Sequence, residues 1–306
     1  MFIRQLSYLI ALDKHKHFGR AASSCNVSQP ALSNAIRELE QELGILVVKR
    51  SRTFQGLTPE GERVIAWARD VLESLSGLRQ EAALIKRVPS GHLTLGVIPT
   101  AIDTATILGA GYRKAMPQVT QEILSLRTPT ILKRLKNQEL DFGLLYEKSV
   151  TGDDYDVLPL FTEKYVLVSG HQAGFLPRQI SWEEISQLPL CVLSRDTRNR
   201  QMVDDIFKKL NLTPKIVLET NVMSALLAEA ISGQGFSIMP LSALLNAYKG
   251  HNVRIHYITP EHTETVCLVR LKRRNHPPIS EVSWHFATHF DLQSVIDESA
   301  PKFDNL

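Results

Sequence analysis

The sequence predicts an α + α/β protein: a small helical head, one long helix, and a body of alternating strands and helices. Three observations predict it. Residues 18–43 read as two short amphipathic helices joined by a tight connection at 25–27. Apolar or small residues then recur at Val64, Ala68, Val71, Leu75, Leu78, Ala82 and Ile85, a 4-3-4-3-4-3 spacing. From His92 onward, strand-like runs alternate with helical ones, a pattern whose ligands sit at the carboxyl ends of strands. At 306 residues the chain has room for two or three cores.

In the head, residues 2–12 read as a first helix with Phe2, Leu6, Leu9, Ile10 and Leu12 turned inward. Residues 18–25 make the second, where Ala21 and Ala22 allow close approach of a third. Cys25 takes an apolar position there, as a small core residue. The third helix opens at Ser28, a good N-cap, with Pro30 in the first turn where its missing N–H costs nothing. At about 3.6 residues per turn, Leu32, Ile36, Leu39 and Leu43 form one buried stripe. Gln29, Pro30, Ser33, Asn34 and Arg37 form a polar face without an acid. Gln and Asn can read adenine, Arg guanine, and Ser a base or a phosphate.

In isolation such a face is ordinary solvated surface. Charge changes that reading. Residues 1–58 carry eight Lys/Arg against four Asp/Glu, whereas the whole chain has a net charge of only +3. A basic head on a near-neutral body fits nucleic-acid binding by the head alone. After Gly44, the run Val47-Val48-Lys49-Arg50 and a turn at Gln55-Gly56 predict a two-stranded wing. Lys49, Arg50 and Arg52 at its edge would grip phosphate or the minor groove. The head is therefore expected to be a winged helix-turn-helix.

Thr58-Pro59-Glu60 combines an N-cap, a first-turn proline and an acid at the positive helix end. The helix it starts carries the seam described above, with a period of about 3.5 residues, which marks a coiled coil. Packing of a lone surface helix on its own domain is the other reading. A coiled coil would tie two heads together for paired half-sites. The stretch 88–91 reads as a hinge.

Beyond it, strands are expected at 92–98, 120–126 and 141–146, with helices at 103–115 and 130–138. A second α/β unit has strands near 164–169, 190–193, 215–218 and 236–238, and helices near 200–210, 222–232 and 241–248. A strand at 265–271 and a helix near 279–290 complete the body. Two such units joined by crossing strands would leave a cleft. Thr100 and Thr128 fall at strand-to-helix turns, where each either caps its helix or offers a hydroxyl to a small ligand. Gly233-Gln234-Gly235 follows a helix rather than preceding one, so it is no nucleotide loop. Lys272-Arg273-Arg274 reads as a solvated turn.

The chain has no P-loop, HExxH, GxSxG or Cys-His pattern with nucleophile spacing, so an enzyme is not expected. The three cysteines show no zinc spacing, and neither a metal nor a cofactor is expected. No apolar run approaches membrane-spanning length, and the first residues lack a signal-peptide pattern, so a cytoplasmic protein is expected.

Along nearly its whole length the chain resembles LysR-type transcriptional regulators. The resemblance rests on Ala21-Ala22, Ser28-Gln29-Pro30-Ala31-Leu32-Ser33, Ile36, Leu39-Glu40, Leu43-Gly44, Arg50 and Leu57-Thr58-Pro59-Glu60-Gly61. It implies a winged helix-turn-helix at 1–58, a dimerising linker helix at 59–88 and an effector domain at 89–306. That domain would resemble type 2 periplasmic binding proteins, with subdomain I at about 92–162 and 267–295 and subdomain II at about 163–266. Such regulators usually form dimers and tetramers, bind double-stranded promoter DNA, and activate or repress transcription by RNA polymerase when a small molecule fills the cleft. A small acid or anion is the expected effector.

By position, Gln29, Pro30, Ser33, Asn34 and Arg37 would read bases or place the helix, with Lys49, Arg50 and Arg52 on the wing. The effector pocket would use Thr100, Ala101, Thr128, Tyr146, Thr197, Asn199, Met202, Asn221 and Val222. Two departures stand out: Val47-Val48-Lys49-Arg50 replaces the usual Leu-Phe-x-Arg, and Cys25 replaces a usual Leu. The stretch Ser194–Arg200 resembles a subgroup encoded beside formate dehydrogenase operons. Two rivals remain: a redox sensor of the same family using Cys191 and Cys267, and a small-molecule binding protein without a DNA role. The cysteines are 76 residues apart in apolar strands, and the basic head argues against the binding protein.

Overall fold

A computed structural model of the chain describes residues 1–50, 54–85, 90–174, 176–245 and 253–299. The backbone divides into two compact units. The first runs from Met1 through the long helix and takes in 275–278; the second begins at Ser90.

The first unit contains α1 (Ile3–His15), α2 (Phe18–Ser24), α3 (Gln29–Leu43), the strands β1 (Val48–Arg50) and β2 (Phe54–Leu57), and α4 (Pro59–Ile85). Its core joins Leu6, Leu9 and Leu12 to Ala21, Leu32, Ile36, Leu39 and Val47. Ser28 caps α3 as its sequence requires, accepting the Ala31 N–H at 3.3 Å. Gly44 ends the helix at φ +68°, the left-handed conformation glycine adopts without strain. Two apolar residues expected inside lie outside. Leu43 is exposed because α3 has run past the core at its last turn, and Phe2 is exposed at the N-cap of α1.

The wing strands pair antiparallel, Val48 opposite Leu57. Gln55 and Gly56 belong to β2 rather than to the turn; the connection falls on 51–53, with Arg52, outside the described residues. Thr58 donates to the Leu46 carbonyl at 2.7 Å and accepts the Gly61 N–H at 2.9 Å, which fixes α4 to the approach to the wing. Along α4, Ala68 is buried and Val64 packs on the head, whereas Val71, Leu78 and Ala82 are exposed within one chain.

The second unit contains β3 (Gly91–Val97), α5 (Ile102–Ala115), β4 (Val119–Ser125), α6 (Thr128–Lys136), β5 (Phe142–Tyr146) and β6 (Tyr155–Gly170). There follow β7 (Gln179–Ser181), α7 (Trp182–Ser186), β8 (Leu190–Leu193), α8 (Arg198–Lys209), β9 (Ile216–Thr220), α9 (Met223–Ile231) and β10 (Phe236–Pro240). The last elements are β11 (Val253–Thr259), β12 (Thr263–Leu271), α10 (Pro278–His289) and α11 (Leu292–Ser299).

Its sheet runs β4-β3-β5-β12-β6-β10-β8-β9, with β11 on β6 and β7 on β11. β3 pairs parallel with β4 and β5, and β8 parallel with β9 and β10. Simple βα alternation gives parallel pairs; this sheet is mixed, because β6 and β12 run antiparallel to their neighbours. β6 is the shared strand. Its first half lies along β12 and its second half between β10 and β11. Two βα halves with separate cores thus meet across one strand. The helix expected at 241–248 is a short 3-10 turn, Leu241–Leu244, with 246–250 outside the described residues.

Candidate functional site

Two surfaces carry chemistry, one in each unit. On the head, the buried stripe of α3 turns its other face outward. Gln29, Pro30, Asn34 and Arg37 are exposed there, with Ser33 half-buried between them. The stripe is anchored by a residue that composition alone does not single out. Glu40 is buried, and its Oε1 accepts the N–H groups of Val47 and Val48 at 2.9 and 3.1 Å. That ties the outward helix to the first residues of the wing. Lys49 is exposed on β1, and Arg50 ends the same strand.

In the second unit, the carboxyl ends of β3, β4, β5 and β8 surround a cavity of about 400 Å³. Thr100, Thr128, Tyr146, Thr197 and Asn199 line it. They come together because each follows, or ends, a strand of the sheet. Asn221 and Val222 line a separate cavity of about 590 Å³, whose wall shares Pro99 and Thr100 with the first. Ala101 and Met202 line neither; both side chains are buried in core. The tight turn Pro99–Ala101 sends successive side chains in different directions, so Thr100 faces the cavity and Ala101 the core. Met202 lies one turn deeper into α8 than Asn199 and packs on Phe207 and its neighbours.

The cavity also holds Arg198, within the expected segment 197–202, and three charged residues not anticipated from the sequence: Arg127, Lys148 and Asp196. Arg127 and Asp196 form an ion pair at 2.6 Å across it. Lys148 reaches buried Glu264 at 3.2 Å, and His262 approaches the same carboxylate at 3.3 Å. Burial alone would push Glu264 up, but His262 and Lys148 hold it below the usual carboxylate range. Arg127 immediately precedes Thr128, so its neighbour's strand-end position was the available signal. Arg200, by contrast, turns inward and braces Asp204, Glu219 and the Leu193 carbonyl.

The N-termini of α6 and α8 open onto this cavity, where first-turn N–H groups lack helical partners. Thr197 spends its hydroxyl as the cap of α8, donating to the Ser194 carbonyl and accepting the Arg200 N–H. Asn199 is buried on the same wall, and its side-chain amide also reaches the Tyr165 hydroxyl.

Behind the cavity wall lies a chain of buried hydroxyls ending on a carboxyl group. Thr100 Oγ1 and the Tyr146 hydroxyl are 2.9 Å apart, and the Tyr146 and Tyr165 hydroxyls 2.7 Å. Tyr146 donates to Glu163 Oε1 at 2.7 Å, Tyr165 to the same oxygen at 3.3 Å, and Ser242 to Oε2 at 2.5 Å. Glu163 is 2% exposed. Burial pushes its carboxyl up to about 7, with the three hydroxyl donors opposing the shift. No sequence pattern signals this group: the strand legible in the sequence begins at Lys164, one residue beyond it.

Among the described residues no group of three or more His, Cys, Asp or Glu is placed to hold a metal ion. No described helix is long and apolar enough to cross a membrane. Cys191 and Cys267 are buried in different cores. Burial raises both thiols, Cys267 to about 12, which disfavours the reactive thiolate.

Comparison with known proteins matches residues 3–62 to the bacterial regulatory helix-turn-helix protein of the lysR family, and residues 86–290 to the LysR substrate binding domain. A hydrogen peroxide-inducible genes activator of Haemophilus influenzae is 29% identical over 274 residues, covering 88% of this chain and 90% of that protein. A full-length OxyR variant from Pseudomonas aeruginosa superposes with a TM-score of 0.71 at 27% identity, covering 94% and 98% of the two chains. The effector binding domain of QuiR in complex with shikimate superposes at 0.56 with 25% identity, covering 65% of this chain and 96% of that one. With a helix-turn-helix head and a substrate-binding body both matched, the chain belongs to the LysR family of DNA-binding transcriptional regulators, which carry an effector-binding domain and are not enzymes.

Proposed function

We propose that the chain binds promoter DNA as a dimer or tetramer in the cytoplasm, through the outward face of α3 and the wing, and that a small carboxylate or inorganic anion in the 400 Å³ cavity switches its effect on RNA polymerase. The observation that carries the ligand class is the shared wall itself: Arg127, Lys148, Thr100 and Asn199 beside the N-termini of α6 and α8. Such a wall favours negative charge. The exposed apolar residues Val71 and Leu78 on α4 support pairing of two copies, since a 3.5-residue seam buries its side chains only against a partner. The QuiR domain's shikimate, a carboxylate, supports the same ligand class.

A thermal-shift screen with formate, acetate, benzoate, shikimate, phosphate and sulfate tests the cavity. A true ligand at about one hundred times its Kd adds about 2.7 kcal/mol to the parent, and less to Thr100→Val. Formate also tests the resemblance of Ser194–Arg200 to the formate dehydrogenase subgroup. Gel shift tests the head. Gln29→Ala and Arg50→Ala, both still folded by circular dichroism, should each lose roughly tenfold to a hundredfold in promoter affinity. Unchanged affinity in both sinks the groove assignment.

A further inference from the structure

We infer that Glu163 is a positioning residue that decides whether Thr100 meets a bound ligand as hydrogen-bond donor or acceptor, so that an anion enters the cavity together with one proton taken up on the Glu163 carboxyl. This rests on the reading of the cavity as the ligand site.

The hydrogen inventory carries the argument. Thr100, Tyr146, Tyr165 and Ser242 have one hydroxyl hydrogen each. With Glu163 ionised, Ser242 points at Oε2 and Tyr146 spends its hydrogen on Oε1. At its 2.9 Å contact with Thr100, Tyr146 can then only accept. The Thr100 hydrogen is drawn inward, and its lone pairs face the cavity, where they repel an anion. A proton on Oε1 reverses the chain: the carboxyl donates to Tyr146, Tyr146 donates to Thr100, and Thr100 releases its hydrogen toward the cavity. Ser242 keeps Oε2 throughout.

The surroundings permit that proton. Tyr146 faces Glu163 from β5 and Tyr165 from β6 itself, while Ser242 faces it from the turn after β10. Glu264 stands directly opposite on β12. Lys148 and His262 pair with Glu264, and the His262 ring packs on Tyr165 at 5.6 Å. Among the described contacts no cation is paired with Glu163. Burial, with Glu264 adding to it, leaves the carboxyl near half-ionised at about pH 7.

The test uses the full chain, parent and Glu163→Gln, with the anion panel above and with benzamide as the uncharged counterpart of benzoate. In the parent, affinity for a binding anion should fall about tenfold per pH unit above about 7. Calorimetry in two buffers of different ionisation heat should read close to one proton taken up per anion there. In Glu163→Gln, whose amide stays neutral and donates from its nitrogen, affinity should be flat with pH and no proton should be taken up. Benzamide should follow pH in neither protein. Flat anion affinity in the parent overturns the inference and leaves the cavity reading standing. An unchanged slope in Glu163→Gln also overturns it, since a group other than Glu163 would then carry the proton. If no anion stabilises either protein at any pH, the cavity reading falls and this inference with it. Should Glu163→Gln fail to fold, the neutral-carboxyl infrared band of the parent decides: at about one pH unit above 7, saturating anion should raise it, and an unmoved band overturns the proposal.

Discussion

The α3 face and the cavity of the second unit are built in opposite ways. On α3 the chemistry is exposed, contiguous in sequence, and set by one helix whose buried stripe leaves its other face free. In the cavity it is gathered from four strand ends more than ninety residues apart, from Thr100 to Asn199, and tuned by groups that no ligand would touch. Under the proposed reading, the first kind of site depends on its exposed side chains and on the backbone that holds the helix. The second depends on buried polar groups whose protonation is part of the design.

The sharpest way to break the first half of that comparison is Gly61→Ala. A Cβ there would stand 2.1 Å from the Val47 carbonyl oxygen, a backbone atom that the Glu40 contacts prevent from yielding. The head should lose about 3 kcal/mol or more in urea unfolding, as severe overpacking does, and promoter affinity should fall with it although no DNA-facing side chain has changed. A stability within about 0.5 kcal/mol of the parent would mean that the wing is loosely held.

Glu163→Gln probes the second half with a comparable or smaller effect. The folded carboxyl is raised from 4.5 to about 7. The neutral form is therefore favoured by folding: its stabilisation is complete below about pH 4.5 and is lost as pH rises through about 7. The difference in stability between parent and variant should decline by something on the order of 3 kcal/mol across that window. A difference that does not change with pH would show the carboxyl to be ionised and solvated, and the cavity wall to be no more than packing.

How much of this the sequence reveals follows from the same contrast. The α3 cap, the inward Leu32, Ile36 and Leu39, and the long helix from Pro59 are local consequences of spacing, and they stand where periodicity puts them. Thr100 and Thr128 were visible because strand-to-helix turns are visible. Arg127, Lys148 and Asp196 were not, since exposed charges in loops look alike until the sheet order brings them together. The first half of β6 carries no clear strand signal, because residues 155–162 alternate weakly, and the antiparallel course of β12 depends on a partner strand about a hundred residues away. Ala101 and Met202 misled for the opposite reason: adjacency to a cavity residue says nothing about which way the next side chain turns.

The smallest expected effect is none at all, and it separates this cavity from a redox device. A peroxide-inducible activator is among the relatives, so a cysteine-based response would be the natural extrapolation. The geometry argues against it. Cys191 packs with Val166, Val168 and Leu193 in one core, and Cys267 with Leu144 and Leu145 in another. The Cys267 thiol donates to the Leu145 carbonyl at 3.2 Å, and burial holds it far from ionisation at neutral pH. A thiolate attacks peroxide; a buried thiol pushed up to about 12 is overwhelmingly protonated and inert. Gel shifts before and after peroxide should therefore be the same for the parent and for the double variant Cys191→Ser, Cys267→Ser. A peroxide-dependent change in the parent that the double variant lacks would move the switch from the polar wall at Thr100 and Asn199 into the apolar cores on either side of it.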